Sequence, residues 1–175
     1  GEIRSLCLMA SPDYGIITNV GHAHLEGFGS LEGVLKAKSE LYEHLGKVNG
    51  IAIFNEKDNM LTEKIIKLVN RTVPYSNPCG FQLEIQELPS DSSLRLQAVY
   101  KQNTYDLKTN LFGRYNLENV RAAIATGLFF GVAMPDIVEA IEEYRPENNR
   151  SQVKSTGLNT LVCDAYNANP ASMKL

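Results

Sequence analysis

Lys38 holds the position with most chemical promise. The apolar residues Leu31, Val34, Leu35, Leu41, Tyr42 and Leu45 recur at three- and four-residue spacing, which predicts one helix from Leu31 to Leu45, ended by Gly46. Lys38 stands seven residues from Leu31, four from Val34 and three from Leu41. Helical geometry therefore puts it in the middle of the buried face, whereas Lys36 points outward. A charged ammonium in an apolar stripe is costly unless paired, and burial favours the neutral amine. A neutral amine can attack carbon dioxide and become a carbamate. The competing reading is a lysine whose stem packs while its head reaches solvent.

His24 follows the first predicted strand, in a loop at a strand's carboxyl end, where open α/β sheets bind ligands. A neutral imidazole there could ligate a metal. An ordinary surface histidine is the alternative, and His22 has no better claim than that. Asn116 and Asn119 open the helix after Gly113-Arg114-Tyr115. Asn116 suits an N-cap. Paired amides could also read an adenine edge, because each donates and accepts. Arg150 suits phosphate oxygens. Asp164, ending a predicted buried strand, could accept from ribose hydroxyls. A surface arginine and a strand-end aspartate are also commonplace.

The elements that must position these residues change texture along the chain. A short helix over 2–10 is broken at Ser11-Pro12-Asp13. Buried strands are expected at Tyr14 to Val20 and Ile51 to Phe54, and a short strand at Thr72 to Tyr75, with helices at Leu31 to Leu45 and Met60 to Val69 between them. That β-α-β-α-β order favours a parallel or mixed sheet covered by helices. From Phe81 to Leu88, Leu94 to Tyr100 and Thr104 to Leu111, apolar and polar residues alternate. Turns at Pro89-Ser90-Asp91 and Gln102-Asn103 separate these runs, a small antiparallel meander with one wet face. Helices follow from Asn116 through Phe130 and from Met134 to Tyr144, with Pro135 in the first turn of the second. Pro146-Glu147-Asn148-Asn149 is a polar junction and the expected domain boundary. Beyond it lie Gln152 to Ser155, a Gly157 turn and an apolar strand, Thr160 to Cys163, expected to be buried.

Composition narrows the function. A net charge of −3 without a basic run makes nucleic acid a poor partner. No apolar stretch is long enough to span a bilayer as a helix. Cys7, Cys79 and Cys163 are far apart and odd in number, which fits a reducing cytosol better than a disulfide framework. The first residues lack a signal-peptide layout and an initiator Met, so the chain is expected to be cut from something longer. No G-x-x-x-x-G-K-[ST] loop is present.

Four ordered stretches carry a resemblance. They are Thr18-Asn19-Val20-Gly21-His22-Ala23-His24-Leu25-Glu26-Gly27-Phe28-Gly29-Ser30, running on through Lys36-Ala37-Lys38-Ser39-Glu40-Leu41; Gly113-Arg114-Tyr115-Asn116-Leu117-Glu118-Asn119; Arg150-Ser151-Gln152; and Asp164-Ala165-Tyr166-Asn167-Ala168-Asn169-Pro170. Together the sequence resembles the Mur ligases, in the form of their D-alanyl-D-alanine-adding branch. The resemblance implies a cytoplasmic bacterial enzyme of cell-wall precursor synthesis that uses ATP and magnesium. Its substrates would be UDP-N-acetylmuramoyl-tripeptide and D-alanyl-D-alanine. It implies that Lys38 is carbamylated and, with His24, holds a magnesium ion. Asn116 and Asn119 would contact adenine, Arg150 phosphate and Asp164 ribose.

The implied fold is α/β, a mostly parallel sheet flanked by helices plus the meander, lacking its P-loop segment. Residues 1–147 would be an incomplete central ATP-binding domain and 148–175 the first hairpin of a C-terminal domain. With the P-loop missing, the isolated chain is expected to be inactive. Another Mur-type ligase, or a non-catalytic binding module derived from one, is the alternative.

Overall fold

The computed structural model describes residues 1–20, 30–90, 93–147 and 152–163. They fall into two compact units, Gly1–Cys79 and Gly80–Leu175.

In the first unit, α1 (Glu2–Ala10) precedes β1 (Tyr14–Ile17), α2 (Leu31–Lys38), α3 (Glu40–Lys47), β2 (Ile51–Phe54), α4 (Asn59–Leu68) and β3 (Arg71–Pro74). The three strands form a parallel sheet in the order β1-β2-β3. The central strand β2 is buried at all four residues, as an unbroken apolar run requires of a strand flanked on both sides. The first strand is shorter and more open than its sequence suggests. It ends at Ile17, which alone is buried, while Tyr14 is exposed, because in the described sheet β1 has a neighbour on one side only.

The helix expected from Leu31 to Leu45 is divided at Ser39. The Ser39 hydroxyl donates to the Leu35 carbonyl at 2.7 Å, and a side chain bonding back one turn bends a helix. Ser30 caps α2 by accepting from the Gly33 N–H at 3.1 Å. Gly46 does not end α3, which runs to Lys47, and Asn49 takes the left-handed conformation instead at φ 54°. A Cβ on Gly46 would overlap the Leu68 carbonyl oxygen, so this glycine serves a close approach between α3 and the end of α4. Asp58 caps α4, accepting from the Leu61 N–H at 3.1 Å.

The second unit opens with β4 (Leu83–Leu88), β5 (Arg95–Tyr100) and β6 (Asn103–Lys108), an antiparallel meander. Leu96, Ala98 and Tyr100 of β5 face the core. Gln97 faces outward, joined to Gln86 at 2.8 Å and to Asp106 at 2.9 Å. The second turn lies one residue earlier than expected. Lys101 and Gln102 take φ values of 49° and 65°, as a tight two-residue hairpin demands, and Asn103 joins β6 opposite Tyr100. Helices α5 (Asn116–Phe129) and α6 (Met134–Glu143) close the core, with Val120, Ile124, Leu128 and Ile137 packed with Leu96 and Leu107. Strands β7 (Gln152–Ser155) and β8 (Thr160–Cys163) form a hairpin. Contrary to expectation, β8 is not buried: Leu161 and Val162 are 48% and 45% exposed. A two-stranded ribbon cannot cover its own apolar face.

Candidate functional site

Three chain segments leave the carboxyl ends of the parallel strands: Thr18-Asn19-Val20 after β1, Asn55 to Asp58 after β2, and Tyr75 after β3. Such edges are where open α/β sheets bind ligands. Tyr75 is pinned there, its N–H donating to the Phe54 carbonyl and to Glu56 Oε2, both at 3.0 Å.

Lys38, the last residue of α2, reaches this edge. Its Nζ donates to the Asn19 carbonyl at 2.8 Å. The side chain is partly buried, not enclosed as the stripe suggested. Burial lowers the pKa of its amine below the ordinary value, and the Asp58 carboxylate opposes that shift. The amine is thus neither lost in the core nor loose in solvent. It is a partly buried amine held by a main-chain acceptor.

Tyr42, one turn beyond Lys38, is fully buried, and its hydroxyl has no hydrogen-bond partner among the described residues. Burial, then Tyr75 and Asp58, push its pKa well up, so the phenol keeps its proton. Sequence reasoning treated Tyr42 only as part of the apolar stripe. Its signal was available: it is the stripe residue with a polar atom that burial must satisfy.

In the second unit, Asn116 is not the N-cap. It is the first residue of α5, and Tyr115 occupies the cap position. Its amide donates to the Phe112 carbonyl at 2.8 Å and accepts from Asn119 Nδ2 at 3.2 Å. Asn116 is buried and Asn119 exposed. Asn119 keeps a second N–H and its carbonyl oxygen unengaged among the described residues, a donor–acceptor edge facing outward. His24, Arg150 and Asp164 lie outside the described residues. Among the described residues no three His, Cys, Asp or Glu side chains gather as a metal site. Magnesium takes oxygen ligands, and Lys38 would offer oxygen only as a carbamate. No described helix is long and apolar enough to cross a membrane.

Known proteins share this architecture. The model of the Mur ligase middle domain matches residues 1–127. The UDP-N-acetylmuramoyl-tripeptide–D-alanyl-D-alanine ligase of Bacillus subtilis is 31% identical over 99% of this chain, and that of Haemophilus influenzae 32% over 98%. The chain spans 37% of the length of each. Among solved structures, MurF from Acinetobacter baumannii superposes with a TM-score of 0.80 at 29% identity, covering 98% of this chain and 38% of that one. The MurF ligase from Thermotoga maritima in complex with ADP has a TM-score of 0.82 at 24% identity, covering 99% and 40%. The family match spans most of the described residues and includes both Lys38 and the asparagine pair: the chain belongs to the Mur ligase family, through its middle domain.

Proposed function

We propose that this chain forms the larger part of the ATP-binding middle domain of a cytoplasmic ligase that joins D-alanyl-D-alanine to UDP-N-acetylmuramoyl-tripeptide. Residues 1–147 belong to that domain, and 148–175 open the next. The observation that carries this reading is similarity to ligases of that name across 98–99% of the chain. A protein of the same fold, the T. maritima MurF ligase, binds ADP.

The reaction begins with transfer of the ATP γ-phosphoryl group to the tripeptide carboxylate. The amine of D-alanyl-D-alanine then attacks the acyl phosphate and expels inorganic phosphate. Phosphoryl transfer depends on positioning and charge compensation more than on covalent help from the protein. Asn119, through its outward amide edge and braced by Asn116, reads the adenine. Arg150 holds a phosphate and Asp164 a ribose hydroxyl. Lys38 serves as a carbamate and, with His24, holds magnesium. Its partial burial supports this, since a desolvated amine is the carbamate's precursor. The nitrogen of a carbamate keeps one hydrogen, enough to retain the bond to Asn19. Bound magnesium offsets negative charge between two anionic reactants.

The test is ADP formation by the ligase of which these residues are the middle domain. ADP should appear only when both the muramoyl-tripeptide and D-alanyl-D-alanine are present. Lys38→Ala should slow it at least about a hundredfold, as loss of a group that organises a metal does. Turnover with a different amine acceptor, or full activity in Lys38→Ala, contradicts the proposal.

A further inference from the structure

We propose that the Tyr42 hydroxyl is the hydrogen-bond donor that orients the carbamate on Lys38, making Tyr42 a positioning residue. The inference rests on the carbamate reading above and concerns what holds that group in place.

A buried O–H without an acceptor is rare in folded proteins and asks for an explanation. Tyr42 is wholly buried, and no described residue accepts from it. It stands four residues after Lys38, and Ser39 between them keeps right-handed helical angles of φ −65° and ψ −12°. Residues at that spacing lie on one face. Long helical side chains lean toward the N-terminal turn, here the turn that carries Lys38. The Asp58 carboxylate acts electrostatically on both groups. Asp58 itself accepts from the Leu61 N–H and is an anion, so it would repel a second anion.

The chemistry is complementary. The neutral Lys38 amine attacks the carbon of carbon dioxide. The N–C bond forms, one C=O electron pair moves onto oxygen, and the nitrogen releases a proton to solvent. The product is an anion with two acceptor oxygens, where the amine carried no oxygen. Its remaining N–H can keep the Asn19 carbonyl that the amine already holds at 2.8 Å. Tyr42 supplies an uncharged donor whose proton is retained, suited to bind one carbamate oxygen while leaving the other for a cation. Hydrogen bonds to charged groups are stronger than neutral ones, so losing this one should weaken carbamate formation about tenfold or more.

The experiment titrates the intact ligase with 13C-bicarbonate and follows the carbamate carbon by 13C NMR. The wild-type signal should be missing from Lys38→Ala. Tyr42→Phe should keep the fold, with an unchanged or higher melting temperature. It should need about ten times more bicarbonate for half occupancy. Tyr42→Leu should shift the same way, guarding against an effect peculiar to one replacement. Equal half-occupancy in wild type and both variants overturns the role of Tyr42 and leaves the carbamate standing. A signal that survives in Lys38→Ala, or none in wild type, overturns the carbamate itself and the inference with it.

Discussion

Lys38 owes its character to two opposing influences, burial that disfavours the ammonium and Asp58 that favours it, and burial prevails. Linkage turns this into a pH dependence. A folded-state pKa below the ordinary 10.5 means that the folded chain is penalised while the amine is charged. The penalty is complete below the folded pKa and fades as pH rises through the range between it and 10.5; well above 10.5 the amine is neutral in both states. Lys38→Met removes the penalty, so its melting temperature relative to wild type should be highest near neutral pH. The difference should narrow as pH is raised. Thermal denaturation of both proteins across that range checks this, and a difference that grows with pH contradicts it. The stripe spacing disclosed that this lysine was unusual. It could not disclose that Asn19 holds the amine, because that contact joins residues of different elements and the spacing within one helix does not report it. It also passed over Tyr42, because a tyrosine in an apolar stripe reads as bulk until its hydroxyl is seen to lack an acceptor.

Helices and strands were legible wherever a periodic pattern was long and bounded by turn chemistry. The apolar run of β2, the alternation along β5 and Pro135 at the start of α6 each led to the observed element. Misreadings occurred where a side chain bonds its own backbone or where tertiary packing decides. Ser39 divides a helix whose apolar period continues through it. Gly46 reads as a helix stop, yet it sits inside α3 against the Leu68 carbonyl. These readings make opposite predictions for Gly46→Ala. Propensity alone predicts that alanine stabilises a helix interior by about 1 kcal/mol. Overlap with main-chain oxygen costs more, so Gly46→Ala should instead lower stability by about 1–3 kcal/mol. Urea denaturation measures the change, and a more stable variant would show that α3 and α4 separate at little cost.

At the scale of the molecule, the change from buried strands to alternating ones near Phe81 coincides with the division after Cys79. Each side closes its own core, one by helices on a parallel sheet and the other by helices on a meander. The family match crosses that division, running over residues 1–127, so it takes in the whole first unit and the first part of the second. Function was legible only through ordered motifs. The physical features of the chain stop at the carboxyl edge of a parallel sheet, a half-buried lysine bonded to the main chain there, and an asparagine pair of which only Asn119 is exposed. The chemistry proposed for the intact ligase has a direct isotopic signature. When the tripeptide carboxylate is labelled with 18O, an acyl phosphate places one labelled oxygen between carbon and phosphorus. Attack by D-alanyl-D-alanine then leaves that oxygen on the released phosphate. Mass spectrometry of the phosphate formed in a single turnover should find one 18O per molecule, and unlabelled phosphate, or 18O in the nucleotide, would contradict the account.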